Sequence, residues 1–143
     1  MDSLTKEKLL RKIGNIVGVI GYTPTTLDDN YLKEYYKELS LKTKSYLRNI
    51  LQISKFSFQT NLHSLSKAKS RDIPVPAFIQ NAFYRPVENT INIPAAYIHS
   101  YMFSEDQPMY LNIMTMGFII GHELAHAIDL VNSQVDEHGM YVA

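Results

Sequence analysis

Apolar positions along the first part of the chain follow helical spacing. Leu9, Ile13, Ile16, Val17 and Ile20 recur with Lys6, Lys8, Arg11 and Lys12 between them, which predicts an amphipathic helix over residues 3–20. Gly14 and Gly18 weaken that helix, and Gly21 with Thr23-Pro24 ends it. Asp28 or Asp29 can cap a second helix carrying Tyr31, Leu32, Tyr35, Tyr36 and Leu39. A third helix is predicted from about Lys42 to Ser66. It carries Leu47, Leu51, Phe58, Leu62 and Leu65 on one stripe, expected to pack against the first two helices, with a partner-binding surface as the alternative use. The pattern changes at RDIPVPAF, where Pro74 and Pro76 stop a helix and favour extended backbone. AFIQNAFY then reads as a strand, PVEN as a turn and TINIPAAYI as a second strand or extended segment. A last helix is predicted from near Pro108 to about Val131. Helices, a short β element and a final helix make an α+β layout that is mainly helical.

Composition narrows the picture. A chain of 143 residues with 45% hydrophobic positions is one domain in size and long enough for a core. Its 14 basic and 14 acidic residues cancel, so no broad field steers it toward nucleic acid or acidic membranes. Cysteine is absent, which excludes disulfides, iron–sulfur clusters and thiol catalysis without fixing a compartment. MDSLTKEKLL is charged and lacks an apolar core, so no signal peptide is expected in it. No apolar run reaches the roughly 20 residues that span a bilayer, so no transmembrane segment is expected.

The candidate chemistry lies in GHELAHAIDL, residues 121–130. On a helix, residues four apart share a face, so His122 and His126 can present two imidazoles to one ion. Zinc accepts neutral imidazole, and a catalytic site takes three protein ligands plus water. Glu123 is placed to reach the metal-bound water and act as general base. A third ligand is not evident. The longer H-E-x-x-H-x-x-G-x-x-H pattern fails, because Asp129 stands at its glycine and Asn132 at its last histidine. Asp136, Glu137 and His138 read as a solvated turn around Gly139, with a local turn that returns one of them to the metal as the alternative, and His63 and His99 as surface or internally satisfied histidines. Proteins without metal also carry chance matches to H-E-x-x-H, so a helical domain with an accidental motif is the bland alternative.

Two longer stretches are more specific. NAFYRPVENTINIPA followed by LNIMTMGFIIGHELAHAID resembles the neprilysin and endothelin-converting-enzyme family of zinc metallopeptidases, peptidase M13. Asn81, Ala82, Phe83, Tyr84, Pro86, Asn89, Ile91, Pro94 and Ala95 match the family's N-A-F-Y-x-P-x-x-N-x-I-x-x-P-A. Leu111, Asn112, Gly117, Ile120, Gly121, His122, Glu123, His126 and Asp129 match its second motif, and Asp136 with Gly139 its later D-x-x-G. MDSLTKEK and IGYTP resemble the family's M-D-x-x-T-[RK] helix and I-G-Y-P turn, so the resemblance covers nearly the whole chain.

The resemblance implies a zinc-dependent endopeptidase acting on peptide substrates. His122 and His126 would be zinc ligands, Glu123 the catalytic base, and Asp129 the group that orients a ligand histidine. Asn81 and Ala82 would bind the substrate backbone on an edge strand. Residues 1–70 would form a helical segment. Residues 71–143 would form the N-terminal part of a thermolysin-like (zincin) catalytic domain, incomplete here. The family draws its third zinc ligand from a glutamate in an E-x-x-x-D motif beyond H-E-x-x-H, and its oxyanion-binding histidine from further on. The chain as given stops at Ala143, so it is expected to lack that ligand and to show little turnover alone. Asn132 stands where the family has glycine. A truncated, non-catalytic paralogue that binds peptides or a partner is the alternative. The family's ectodomains face outward, which implies an extracellular or membrane-anchored setting. Incomplete cover over the zinc helix is expected to leave apolar surface exposed, favouring association.

Overall fold

The computed structural model describes residues 1–65, 76–98 and 102–142. Pro74, His99 and the predicted end of the third helix at Ser66 lie outside the described residues. The chain divides into two units, Met1–Thr23 with Arg71–Ala143, and Pro24–Ser70. The first helix thus falls in the same compact unit as the motif-bearing half.

In the first unit, Asp2 opens helix α1 (Ser3–Gly14) by accepting the Thr5 N–H at 2.9 Å. The helix predicted to reach residue 20 stops at Gly14, where the Asn15 side chain donates to the Arg11 carbonyl at 2.8 Å. Val17–Gly21 forms strand β1 instead. Val17, Val19 and Ile20 are β-branched and suit a pleated backbone. Strand β2 (Phe83–Arg85) and strand β3 (Thr90–Pro94) complete a sheet of order β1-β3-β2. β1 runs parallel to β3, pairing Val17 with Thr90 and Gly21 with Pro94. β2 runs antiparallel to β3, pairing Tyr84 with Ile91. All five residues of the central strand β3 are buried. Asn89, fully buried, turns the hairpin at φ 52°, a left-handed conformation that asparagine tolerates.

Both predicted strands are shorter than AFIQNAFY and TINIPAAYI suggest. Ahead of β2 the chain turns, with Ile79 N–H donating to the Pro76 carbonyl at 3.2 Å. After Pro94 it coils into helix α4 (Ala95–Ile98). The last predicted helix, 108–131, is broken up as α5 (Met109–Asn112), a π-helical turn (Ile113–Gly117) and α6 (Phe118–His126). Thr115 anchors the π turn by donating its hydroxyl to the Met102 carbonyl at 2.5 Å. Asn112 ties down the preceding loop, accepting the Ser104 N–H at 3.1 Å and donating to the Ser104 carbonyl at 2.8 Å.

The core of this unit is small. Ala82, Tyr84, Ile91, Ile93, Met116 and Ala127 form it, so α6 packs directly on the hairpin. Beyond α6, Gly139 sits at φ +75°, and a Cβ there would lie 2.0 Å from the Val87 carbonyl oxygen. Only glycine fits that approach.

In the second unit, Asp28 caps helix α2 (Asp29–Tyr35) by accepting N–H groups from Asn30 at 2.9 Å and Tyr31 at 3.3 Å. Helix α3 spans Tyr46–Leu65. The predicted stripe of Leu47, Leu51, Phe58, Leu62 and Leu65 remains exposed. Contact between α2 and α3 instead runs through Phe56, on the opposite face, edge-on to Tyr35 at 5.6 Å and tilted against Tyr36 at 5.7 Å.

Candidate metal centre

Helix α6 packs apolar side chains on the hairpin, and its histidines border an open cleft beside that contact. His122 and His126, one turn apart, bring their Nε2 atoms to 3.2 Å, with ring planes at 86°. Two imidazole nitrogens held at zinc bond lengths in a tetrahedral arrangement would be about 3.3–3.4 Å apart. The pair therefore fits one ion without rearranging the helix. Among the described residues, no group of three or more His, Asp or Glu side chains is arranged to hold a metal. Glu123 borders the same cleft and is 5% exposed.

Asp129 lies beneath the second histidine, with its Oδ2 3.1 Å from His126 Nδ1. Its Oδ1 accepts N–H groups from Val131 at 3.0 Å and Asn132 at 2.7 Å, and its Oδ2 also accepts from Asn132 Nδ2 at 3.1 Å. The Asn132 backbone donor, then the His126 side chain, hold the Asp129 carboxyl below the usual carboxylate range. This aspartate also turns the chain out of its helix, because its side chain captures donors that a continuing helix would use.

Across the cleft, which is about 340 Å³, stand Asn81, Ala82, Phe83 and Tyr84. The Ala82 N–H donates to Asn81 Oδ1 at 3.0 Å. Asn81 is exposed, whereas Ala82 packs into the core at 5% exposure. These residues lead into β2, which lies at one side of the sheet. The structure thus gathers His122, Glu123, His126, Asn81 and Ala82 around one opening, with Asp129 behind His126.

The other histidines and acidic residues fall elsewhere. His63 is in the last turn of α3. Asp136 closes the turn around Gly139, accepting from the His138 and Met140 N–H groups at 2.9 and 2.8 Å. Glu137 pairs with Arg11 at 3.1 Å. Further groups that the sequence did not single out as site residues adjoin the cleft or its support, Phe83 among them. Tyr84 and Asn132 line it, and Lys12 reaches the Asn132 carbonyl from α1. Burial, then the charge of Asp129, pushes the Tyr84 hydroxyl up to about 12. The tyrosine in NAFY and the lysine among the polar positions of α1 were visible as residues. Their juxtaposition depends on tertiary packing and left no local signal.

Comparison with known proteins addresses the family and the fold. The profile of "Peptidase family M13" matches residues 81–142, the hairpin through the motif helix and the turn after it. The chain is 36% identical to mouse "Membrane metallo-endopeptidase-like 1" and 32% identical to Drosophila melanogaster "Neprilysin-3". Each alignment takes in 97% of this chain, but only 19% and 18% of those relatives. The crystal structure of Mycobacterium tuberculosis zinc metalloprotease ZMP1, determined in complex with an inhibitor, superposes with a TM-score of 0.86. It is 24% identical, and the match covers all of this chain and 21% of that one. The fold is that of the matching part of that structure. The chain belongs to peptidase family M13 and spans about a fifth of the length of the curated relatives it matches.

Proposed function

We propose that this chain carries the metal-binding helix and one wall of the substrate cleft of a zinc-dependent endopeptidase. The observation behind the reading is the convergence of His122 and His126 Nε2 at 3.2 Å beside Glu123, facing Asn81 and Ala82. His122 and His126 hold the ion as two of its ligands. When bound, zinc polarises a scissile carbonyl and lowers the pKa of a water toward about 7. Glu123 accepts the proton of the attacking water and returns it to the departing amine. Asp129 keeps the proton of neutral His126 on Nδ1, which leaves Nε2 free to ligate. Asn81 and Ala82, leading into an outer strand, bind the backbone of an extended peptide by strand addition. By the same family resemblance, the setting is an extracellular or membrane-anchored ectodomain. No helix among the described residues is long and apolar enough to cross a membrane.

The test separates metal binding from proton transfer. Zinc uptake, followed with a chromophoric competitor, is expected to disappear when His122→Ala and His126→Ala are combined. Glu123→Gln is expected to retain zinc and, in any zinc-loaded preparation that cleaves peptides, to lower hydrolysis by roughly 10²–10⁴-fold. Undiminished hydrolysis by that variant would remove Glu123 from the mechanism. The purified 143-residue chain is expected to bind zinc weakly through its two imidazoles and to show little or no turnover. Robust cleavage by it, abolished by Glu123→Gln, would overturn that expectation.

A further inference from the structure

Lys12 is 2% exposed, although most of α1 faces solvent. Lysine is almost never buried to this degree without partners, because taking an ammonium out of water is costly. Its Nζ donates to the main-chain carbonyl of Asn132, a residue 120 positions away, and lies 5.8 Å from the centre of the Tyr84 ring. Burial holds its pKa below the usual lysine range, while the charges of Asp129 and Asp136 work in the opposite direction. The main chain of Lys12 is held as well. Its carbonyl accepts Asn89 Nδ2 at 3.0 Å, and Asn89 Oδ1 accepts the Tyr84 hydroxyl at 2.8 Å.

Asn132 connects this lysine to the metal-binding face. Its carbonyl is taken by Lys12, its N–H is donated to Asp129 Oδ1, and its side chain is donated to Asp129 Oδ2. Asp129 Oδ2 in turn meets His126 Nδ1. Lys12, Asn132, Asp129 and His126 therefore form one continuous chain of polar contacts. It runs from a helix near the N-terminus to an imidazole of the motif.

We propose that Lys12 is a positioning residue for the metal centre. By fixing the Asn132 main chain, it holds Asp129 against His126, so that His126 carries its proton on Nδ1 and presents Nε2. The inference rests on the zinc reading of His122 and His126, but part of its test needs no metal.

Long-range ¹H–¹⁵N NMR on the metal-free 143-residue chain reports which nitrogen of neutral His126 carries the proton. The wild-type chain is expected to show the Nδ1–H form. Lys12→Met, close in volume but uncharged, is expected to shift the ring toward Nε2–H. It should also weaken zinc or cobalt binding by at least about tenfold, the usual scale for groups behind a ligand. Lys12→Arg, which restores a cationic donor, is expected to recover much of both. Combined with Asp129→Asn, the losses should overlap instead of summing, because both act through one contact. If Lys12→Met does not fold, Lys12→Gln takes its place with the same readings.

An Nε2–H ring in the wild-type chain overturns the proposal. So does a folded Lys12 variant with unchanged tautomer and metal affinity, or fully additive losses with Asp129→Asn. A purely structural lysine would lower the melting temperature and leave the tautomer and the affinity of the folded protein alone. If the wild-type chain shows Nδ1–H but takes up no zinc, the metal reading fails while the positioning contact stands.

Discussion

At the scale of single residues, Asp129 connects the most separate functions. It ends the motif helix, binds both the main chain and the side chain of Asn132, and touches the imidazole of His126. Its carboxyl is held below its ordinary value of 3.8, and Asp136 is lowered too, first by the Met140 N–H. A carboxyl with a lower pKa in the folded state binds fewer protons there than in the unfolded chain. Its stabilisation is thus fully present above the unfolded value and is lost as pH falls below about 3.8 through the folded value. Thermal melts taken across that acid range are expected to show a shallower fall in stability for Asp129→Asn than for the wild-type chain. Identical pH slopes would mean that these hydrogen bonds contribute nothing to folding. The sequence pointed to Asp129 through the family resemblance, which places it behind a ligand histidine. Its grip on Asn132 was not visible, because that depends on how the chain leaves the helix.

At the scale of elements, β3 holds the site together. It pairs with β1 on one side and β2 on the other, and its residues are buried throughout. Ile93, at 3% exposure, packs in the same cluster as Met116 and Ala127 from the motif-bearing half. Ile93→Ala is expected to cost about 2–5 kcal/mol, a large share of the stability of a small domain. Urea denaturation would measure it, and a loss under about 0.5 kcal/mol would show that the sheet is not the core of this unit. The hairpin could be read locally, since NAFY, PVEN and TINIP carry strand and turn signals within a few residues of each other. β1 could not. Its apolar spacing also fits a helix, and its partner lies in the second half of the chain, so only the parallel ladder with β3 decides between the two. The final helix was misjudged at its end for a similar reason: Asp129 offers a competing set of acceptors that periodicity does not register.

At the scale of the whole molecule, the stretch from α5 through the π turn to the start of α6 leaves large apolar side chains bare. Met109, Ile113, Met114 and Phe118 are 73%, 61%, 70% and 68% exposed. A run of exposed apolar side chains on one stretch of helix favours contact with another apolar surface. The purified 143-residue chain is expected to associate as its concentration rises, and Met114→Lys with Phe118→Ser to reduce this. Sedimentation velocity would follow the change, and a chain that stays monomeric at high concentration would disprove it. What the sequence determined by itself was the chemistry and its local carriers. Residue type and four-residue spacing set His122, Glu123 and His126 on one helix, and two motifs in order marked the family. Tertiary structure decided what faces that helix and what supports it. The cleft wall of Asn81 and Ala82, the pairing of β1 with β3 and the burial of Lys12 beneath Asn132 all join distant parts of the chain. Spacing along a chain encodes faces of elements. Which faces meet is settled only when apolar surface is removed from water and every buried donor must find an acceptor.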